Sequence, residues 1–418
     1  MSERHLGYSE IVENRLNIIS PHNIIITGLI NQVLPQNIIK DALNNIKFIN
    51  PLLNVNITTQ TGFYSYQRLS NDSRVSIEFY TDNELDMEKT ISELISHQLS
   101  IKNSPLAKLI QIENNQNTYL FFIFQHSISD GISAVNIFLE FLIQIDTILS
   151  GINPNNTKKK LNRSLEDFLF QKTDYIKNKK IAILNENFLS SQTKIANRYT
   201  AVRNLKFSIR NTEKLLKISK INKVSVTTSL VSILKTCLDE IEWGLGEENN
   251  LQCKLLVNFR NELNNHVKKN DLGFYSGCLK IPLNKIIQFN LLANDIQSKI
   301  QKQLANKEHI LNTKKNQILI NKCININQFF EQVEEKNTSF GVSNMGIIEN
   351  VAYKNFELID IHVACDTHIF DRGKNNFFIC VNTFKNCLYI NLLYPQPLFT
   401  SQQMDMIANK LSTAICSI

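Results

Sequence analysis

Apolar residues recur along the chain in two rhythms. TYLFFIFQ (118–125) is almost continuously apolar, the pattern of a strand buried on both faces. IIITGLINQV (24–33), QCKLLVNFR (252–260) and SGCLKIPL (276–283) read as further strands, and SFGVSNMGII (339–348) as a strand that breaks at Ser343-Asn344. FFICVNTFKNCLYINLLY (377–394) reads as a hairpin with Lys385-Asn386 near its turn. The helical period governs LPQNIIKDALNNIKFINPLL (34–53), with Pro35 near its start, and LDMEKTISELISHQLS (85–100). After Gly131 it takes over again, with Val135, Phe138, Leu139, Leu142, Ile145 and Leu149 at helical spacing. Residues 211–224, 225–241, 291–310 and 401–415 read as helices too. Both halves mix helices and strands in a similar style without a detectable repeat.

GINPNNTKKKLNR (151–163) has no periodicity and closes the first half. The expected division is 1–165 as an N-terminal lobe, 166–200 as a helical linker and 201–418 as a C-terminal lobe. A length of 418 residues suits two lobes of roughly 200 each, and 43% apolar residues supply a core. The formal charge of +7 is mild, and no concentrated basic face points to nucleic acid. The densest cationic run, 157–163, reads as a solvated linker or as a docking patch for an acidic carrier protein or membrane surface. The eight cysteines form no CxxC pair, so no zinc or redox motif is visible. No secretory h-region and no unbroken apolar run of membrane-spanning length occur. The expectation is a monomeric cytoplasmic enzyme with reduced thiols.

The chemistry concentrates in FFIFQHSISDGIS (121–133). Histidine suits proton transfer near neutral pH, and a strand end holds it rigidly. His126 therefore reads as a base, or as a histidine satisfied within a turn. Gly131 lets the chain turn into the helix without a Cβ in the way. Asp130 reads as a helix N-cap or as one half of a structural ion pair. His362 and His368 lack a convincing third ligand, and no metal site is expected.

QHSISDG resembles the HHxxxDG signature of the chloramphenicol acetyltransferase-like superfamily. That group includes nonribosomal peptide condensation domains, alcohol acetyltransferases and polyketide-associated acyltransferases. FINPLLNVNI (48–57), LLVNFRNEL (255–263), DLGFYSGCL (271–279) and VSNMG (342–346) resemble further elements of the family, in order along most of the chain. The first motif position is Gln125 rather than histidine, and no DFGWG sequence occurs, unlike plant-type members. The resemblance implies an α/β fold of two acetyltransferase-like lobes, mixed sheets flanked by helices, with an active-site tunnel between them. It implies His126 as general base and a structural pair of Asp130 with Arg260, which otherwise reads as a surface arginine. Asn344, Ser343 and Gln125 become candidates for substrate or oxyanion contact, although Asn344 also reads as a turn residue. The donor would be acyl-CoA or a phosphopantetheinyl thioester on a carrier protein, the acceptor an alcohol or amine, and no cofactor would be tightly bound. A catalytically degenerate docking module is the rival expectation, supported by Gln125.

Overall fold

The computed structural model describes residues 3–59, 64–69, 76–99, 105–154, 156–170, 198–241, 251–263, 266–322, 339–367 and 377–418. The first half runs β1 (Glu3–His5), α1 (Tyr8–Ile19), β2 (Asn23–Ile30), α2 (Gln36–Ile49), β3 (Val55–Thr58), β4 (Ser65–Arg68), β5 (Ser76–Thr81), α3 (Met87–Ile95), β6 (Ala107–Asn114), β7 (Asn117–Gln125), α4 (Gly131–Leu149) and α5 (Leu165–Leu169). The second half runs β8 (Tyr199–Lys206), α6 (Ile209–Ile221), α7 (Val226–Asp239), β9 (Gln252–Asn258), β10 (Ser276–Pro282), α8 (Phe289–Ala305), α9 (Glu308–Lys322), β11 (Phe340–Ile347), β12 (Leu358–Cys365), β13 (Phe377–Phe384), β14 (Cys387–Gln396) and α10 (Ser401–Ser417).

The apolar run of β7 is explained by its place in a five-stranded sheet, β12-β2-β7-β6-β5, where it pairs antiparallel with both β2 and β6. Leu120 to Phe124 are fully buried, as a strand covered on both faces requires. Helix α4 packs against α2 and β2. Gly28 permits this approach, since a Cβ there would lie 2.4 Å from the Phe138 ring. Among the described residues α4 alone is long and apolar enough to cross a membrane by length and composition. Ser133, Asn136, Glu140 and Gln144 interrupt its apolar run, which is why no unbroken window marks it in the sequence.

The second large sheet has the order β10-β9-β11-β13-β14-β8, with β11 parallel to both neighbours and the other pairs antiparallel. The three-stranded sheet β1-β4-β3 has no counterpart in the sequence reading. Three other expectations are corrected. Strand β11 runs through Ser343 and Asn344 and shifts register only between Asn344 and Ile347. The helix expected over 291–310 is two helices, α8 and α9, separated at Lys307, whose φ of 55° leaves the helical region. Strand β12 belongs by sequence to the second half, yet it pairs antiparallel with β2 in the first sheet. A boundary at residue 201 therefore does not separate the two sheets. Most of the expected linker, 171–197, lies outside the described residues, as does His368.

Candidate active site

Strand β7 ends at Gln125, and His126 opens a short turn of three-ten helix before α4. Its backbone N–H donates to the His22 carbonyl at 2.9 Å, which ties the end of β7 to the start of β2. Imidazole Nδ1 lies 2.9 Å from the Ser129 carbonyl oxygen. That oxygen can only accept, so Nδ1 carries the hydrogen and the Nε2 lone pair is left for other work. The ring stacks on His22 at 5.1 Å between centroids, with Phe274 at 5.4 Å. Burial pushes the His126 pKa down and His22 adds to that, while Glu13 opposes it. The outcome lies below the usual imidazole value, so the neutral form is favoured.

Asp130 answers both readings of its sequence at once, using different oxygens. Its Oδ1 accepts the Ser133 N–H at 2.7 Å and caps α4. Its Oδ2 accepts Arg260 Nη1 at 3.0 Å and the Tyr275 N–H at 2.8 Å. Arg260 Nη2 donates to Ser133 Oγ, and the guanidinium lies over the Tyr275 ring at 5.0 Å. Both charged side chains are buried, at 7% and 5% exposure for Arg260 and Asp130. Arg260 follows β9 and Asp130 follows β7, so this ion pair joins the two large sheets. Gly131, at the first position of α4, leaves room for the Met345 side chain, whose Sδ and Cε would lie 2.7 Å from a Cβ there.

Two cavities meet at His126. One is lined by His126, Asp130, Gly131, Ser343, Asn344 and Met345 among others. The second, the larger, is lined by His126, Glu13, His22, Lys254, Phe274 and Cys365 among others. His126, Leu256, Ser276, Cys365 and Phe378 line both.

The candidates fare differently. Asn344 and Ser343 face the first chamber with His126. The Asn344 amide already donates to Thr227 Oγ1 at 2.9 Å, and its oxygen accepts the Gly346 N–H at 2.8 Å. Gln125 lines neither chamber; it is fully buried, and its Oε1 accepts from Ser127 Oγ. His362, on β12, lies 3.2 Å from Asn391 Oδ1 by its Nδ1, deep in the protein.

Glu13 and His22 escaped the sequence reading. His22 Nε2 lies 2.9 Å from Glu13 Oε2. Burial pushes the Glu13 carboxyl up, but His126 and His22 beside it more than offset this and hold it below the usual carboxylate range. No spacing signal could have found them, since they sit in α1 and just before β2 and meet His126 only in the fold. Ser133 carried no sequence signal, because the cap uses its backbone N–H, which any residue there would supply.

No family model and no curated protein matches the chain. Solved structures do. Polyketide synthase associated protein 5 from Mycobacterium tuberculosis superimposes with a TM-score of 0.69 at 15% identity, covering 99% of this chain and 97% of that one. Trichothecene 15-O-acetyltransferase from Fusarium sporotrichioides gives 0.71 at 11% identity, covering 99% and 95%. The first condensation domain of the CDA synthetase gives 0.70 at 11% identity, covering 99% and 96%. The chain therefore has the two-lobed, chloramphenicol acetyltransferase-like fold of condensation domains and related acyltransferases.

Proposed function

We propose that the protein is an acyltransferase that moves an acyl group from a CoA or carrier-protein thioester to an alcohol or amine, with His126 as general base. What supports this reading is His126, whose Nδ1 is engaged by the Ser129 carbonyl and which lines both chambers. Donor and acceptor can then approach one nitrogen from different sides. Nε2 takes the proton of the acceptor O–H or N–H as that atom bonds to the thioester carbonyl carbon. The tetrahedral oxyanion collapses, the C–S bond breaks, and the departing thiolate recovers the proton from Nε2. Base catalysis of this kind supplies about 10²–10⁴-fold, and holding two substrates in line supplies more. Asn344 and Ser343, on the same chamber wall, are the candidates to face the oxyanion. Asp130 and Arg260 fix the turn that carries the base rather than touching substrate. The resemblance of VSNMG to the alcohol-acylating branch favours ester formation.

The test is intact-mass analysis of alcohol and amine acceptors incubated with pure protein and a series of acyl-CoA and acyl-carrier thioesters. Acyl transfer that disappears in His126→Ala, with circular dichroism unchanged, is the expected result. Absence of transfer and of thioester cleavage across the series would favour the docking-module reading instead.

A further inference from the structure

Glu13 and His22 form a close buried pair. The two atoms are 2.9 Å apart, and Oε2 is out of reach of solvent. His126 adds a third nitrogen, and the ligand atoms of all three residues lie within 4.8 Å of one another. Around a four-coordinate zinc ion, with bonds of about 2.0–2.2 Å, neighbouring ligand atoms sit about 3.3 Å apart. The separations here bracket that value, so small rotations would close the set.

We propose that Glu13, His22 and His126 form a binding site for one divalent transition-metal ion of the zinc class. Two imidazoles and one carboxylate are a donor set that zinc proteins use while leaving a fourth position open. The open position here would face the larger chamber, which all three residues line. The orientation of His126 fits as well. Its Nδ1 hydrogen is held by the Ser129 carbonyl, the outer contact that fixes a ligating imidazole and directs Nε2 to the metal. Imidazole donors disfavour magnesium and calcium, which take oxygen ligands. Lys254 and Asp366 line the same chamber with opposite charges. A metal on Nε2 would occupy the lone pair that acyl transfer needs, making the metal-loaded and transferring forms mutually exclusive.

The site is tested without any acyl donor, so its failure and a failure of the acyltransferase reading are separate results. Chelator-treated protein is titrated with Co²⁺ and followed by visible absorption. One equivalent per chain should bring up ligand-field bands of a four-coordinate ion, and Zn²⁺ should abolish them. Glu13→Gln and His22→Ala should each weaken binding by more than the roughly 10–100-fold typical of losing an outer contact. Should either variant misfold by circular dichroism, Zn²⁺ protection of His22 and His126 from diethyl pyrocarbonate, read by peptide mass in the wild type, decides. No stoichiometric cobalt spectrum, a thiolate-to-cobalt band, binding unchanged in both variants, or no Zn²⁺ protection would each overturn the proposal.

Discussion

Removing either member of the Asp130–Arg260 pair should destabilise the protein, and the two losses should be unequal. Asp130→Ala deletes three accepted hydrogen bonds and strands a buried guanidinium. Losing one partner of a buried pair costs about 3–5 kcal/mol, and loss of an N-cap adds about 1 kcal/mol. Arg260→Ala leaves the carboxylate with two backbone donors, Ser133 and Tyr275, so its cost should fall at the lower end, about 3 kcal/mol. In the double variant no charge is stranded. Its loss should be smaller than the sum of the single losses by about 2–3 kcal/mol. Asp130→Asn separates the effects, because an amide oxygen can still accept from Ser133 while the charge is gone. Urea unfolding of the four variants and wild type, followed by circular dichroism, measures each value. Losses that add within about 0.5 kcal/mol, or an Arg260→Ala variant less stable than Asp130→Ala, would refute direct pairing as described.

Two more outcomes are expected. A Cβ at Gly341 would lie 2.1 Å from the Phe378 ring, which lines both chambers, so Gly341→Ala should cost about 1–3 kcal/mol and lower kcat/KM by moving that ring; unchanged stability and kinetics would show that the ring has room to give. Glu166 is buried, accepts the Ser9 N–H at 2.6 Å by one oxygen, and is pushed by burial from 4.5 up to about 7. Because the folded value is the higher one, its stabilising contribution is complete below about pH 4.5 and is lost as pH rises through about 7. Wild-type stability should carry a loss on the order of 3 kcal/mol across that window, and Glu166→Gln should remove it; an equally steep profile in the variant would rule Glu166 out as its source.

Legibility in the sequence followed the strength of local pattern. The apolar run of β7 and the helical spacing of α4 are long, and their junction placed His126, Asp130 and Gly131 correctly. Lys385 and Asn386, both at positive φ, close the predicted hairpin between β13 and β14. The strands of the small sheet span three or four residues, too few for alternation to register. The division between α8 and α9 was hidden because no glycine or proline stands at Lys307. Asp130 could not be resolved between two roles from sequence, since either needs only a carboxylate. Gln125 was drawn into the site by its motif position, whereas its buried side chain pairs with Ser127 and lines neither chamber. Glu13 and His22 depend wholly on tertiary placement.

The position of β12 bears on how the chain reaches its native state as it is made. Strand β2, with Ile24, Ile25 and Ile26 among its residues, emerges from the ribosome long before β12, the partner for one of its edges. Until Leu358–Cys365 has been synthesised, that edge offers unpaired backbone groups beside apolar side chains, the arrangement that invites pairing with a second molecule. The first sheet is thus completed only by a strand from the second half of the chain. A fragment ending at residue 201 would keep that edge permanently open, so co-expressed halves should accumulate as a complemented pair, whereas the first half alone aggregates.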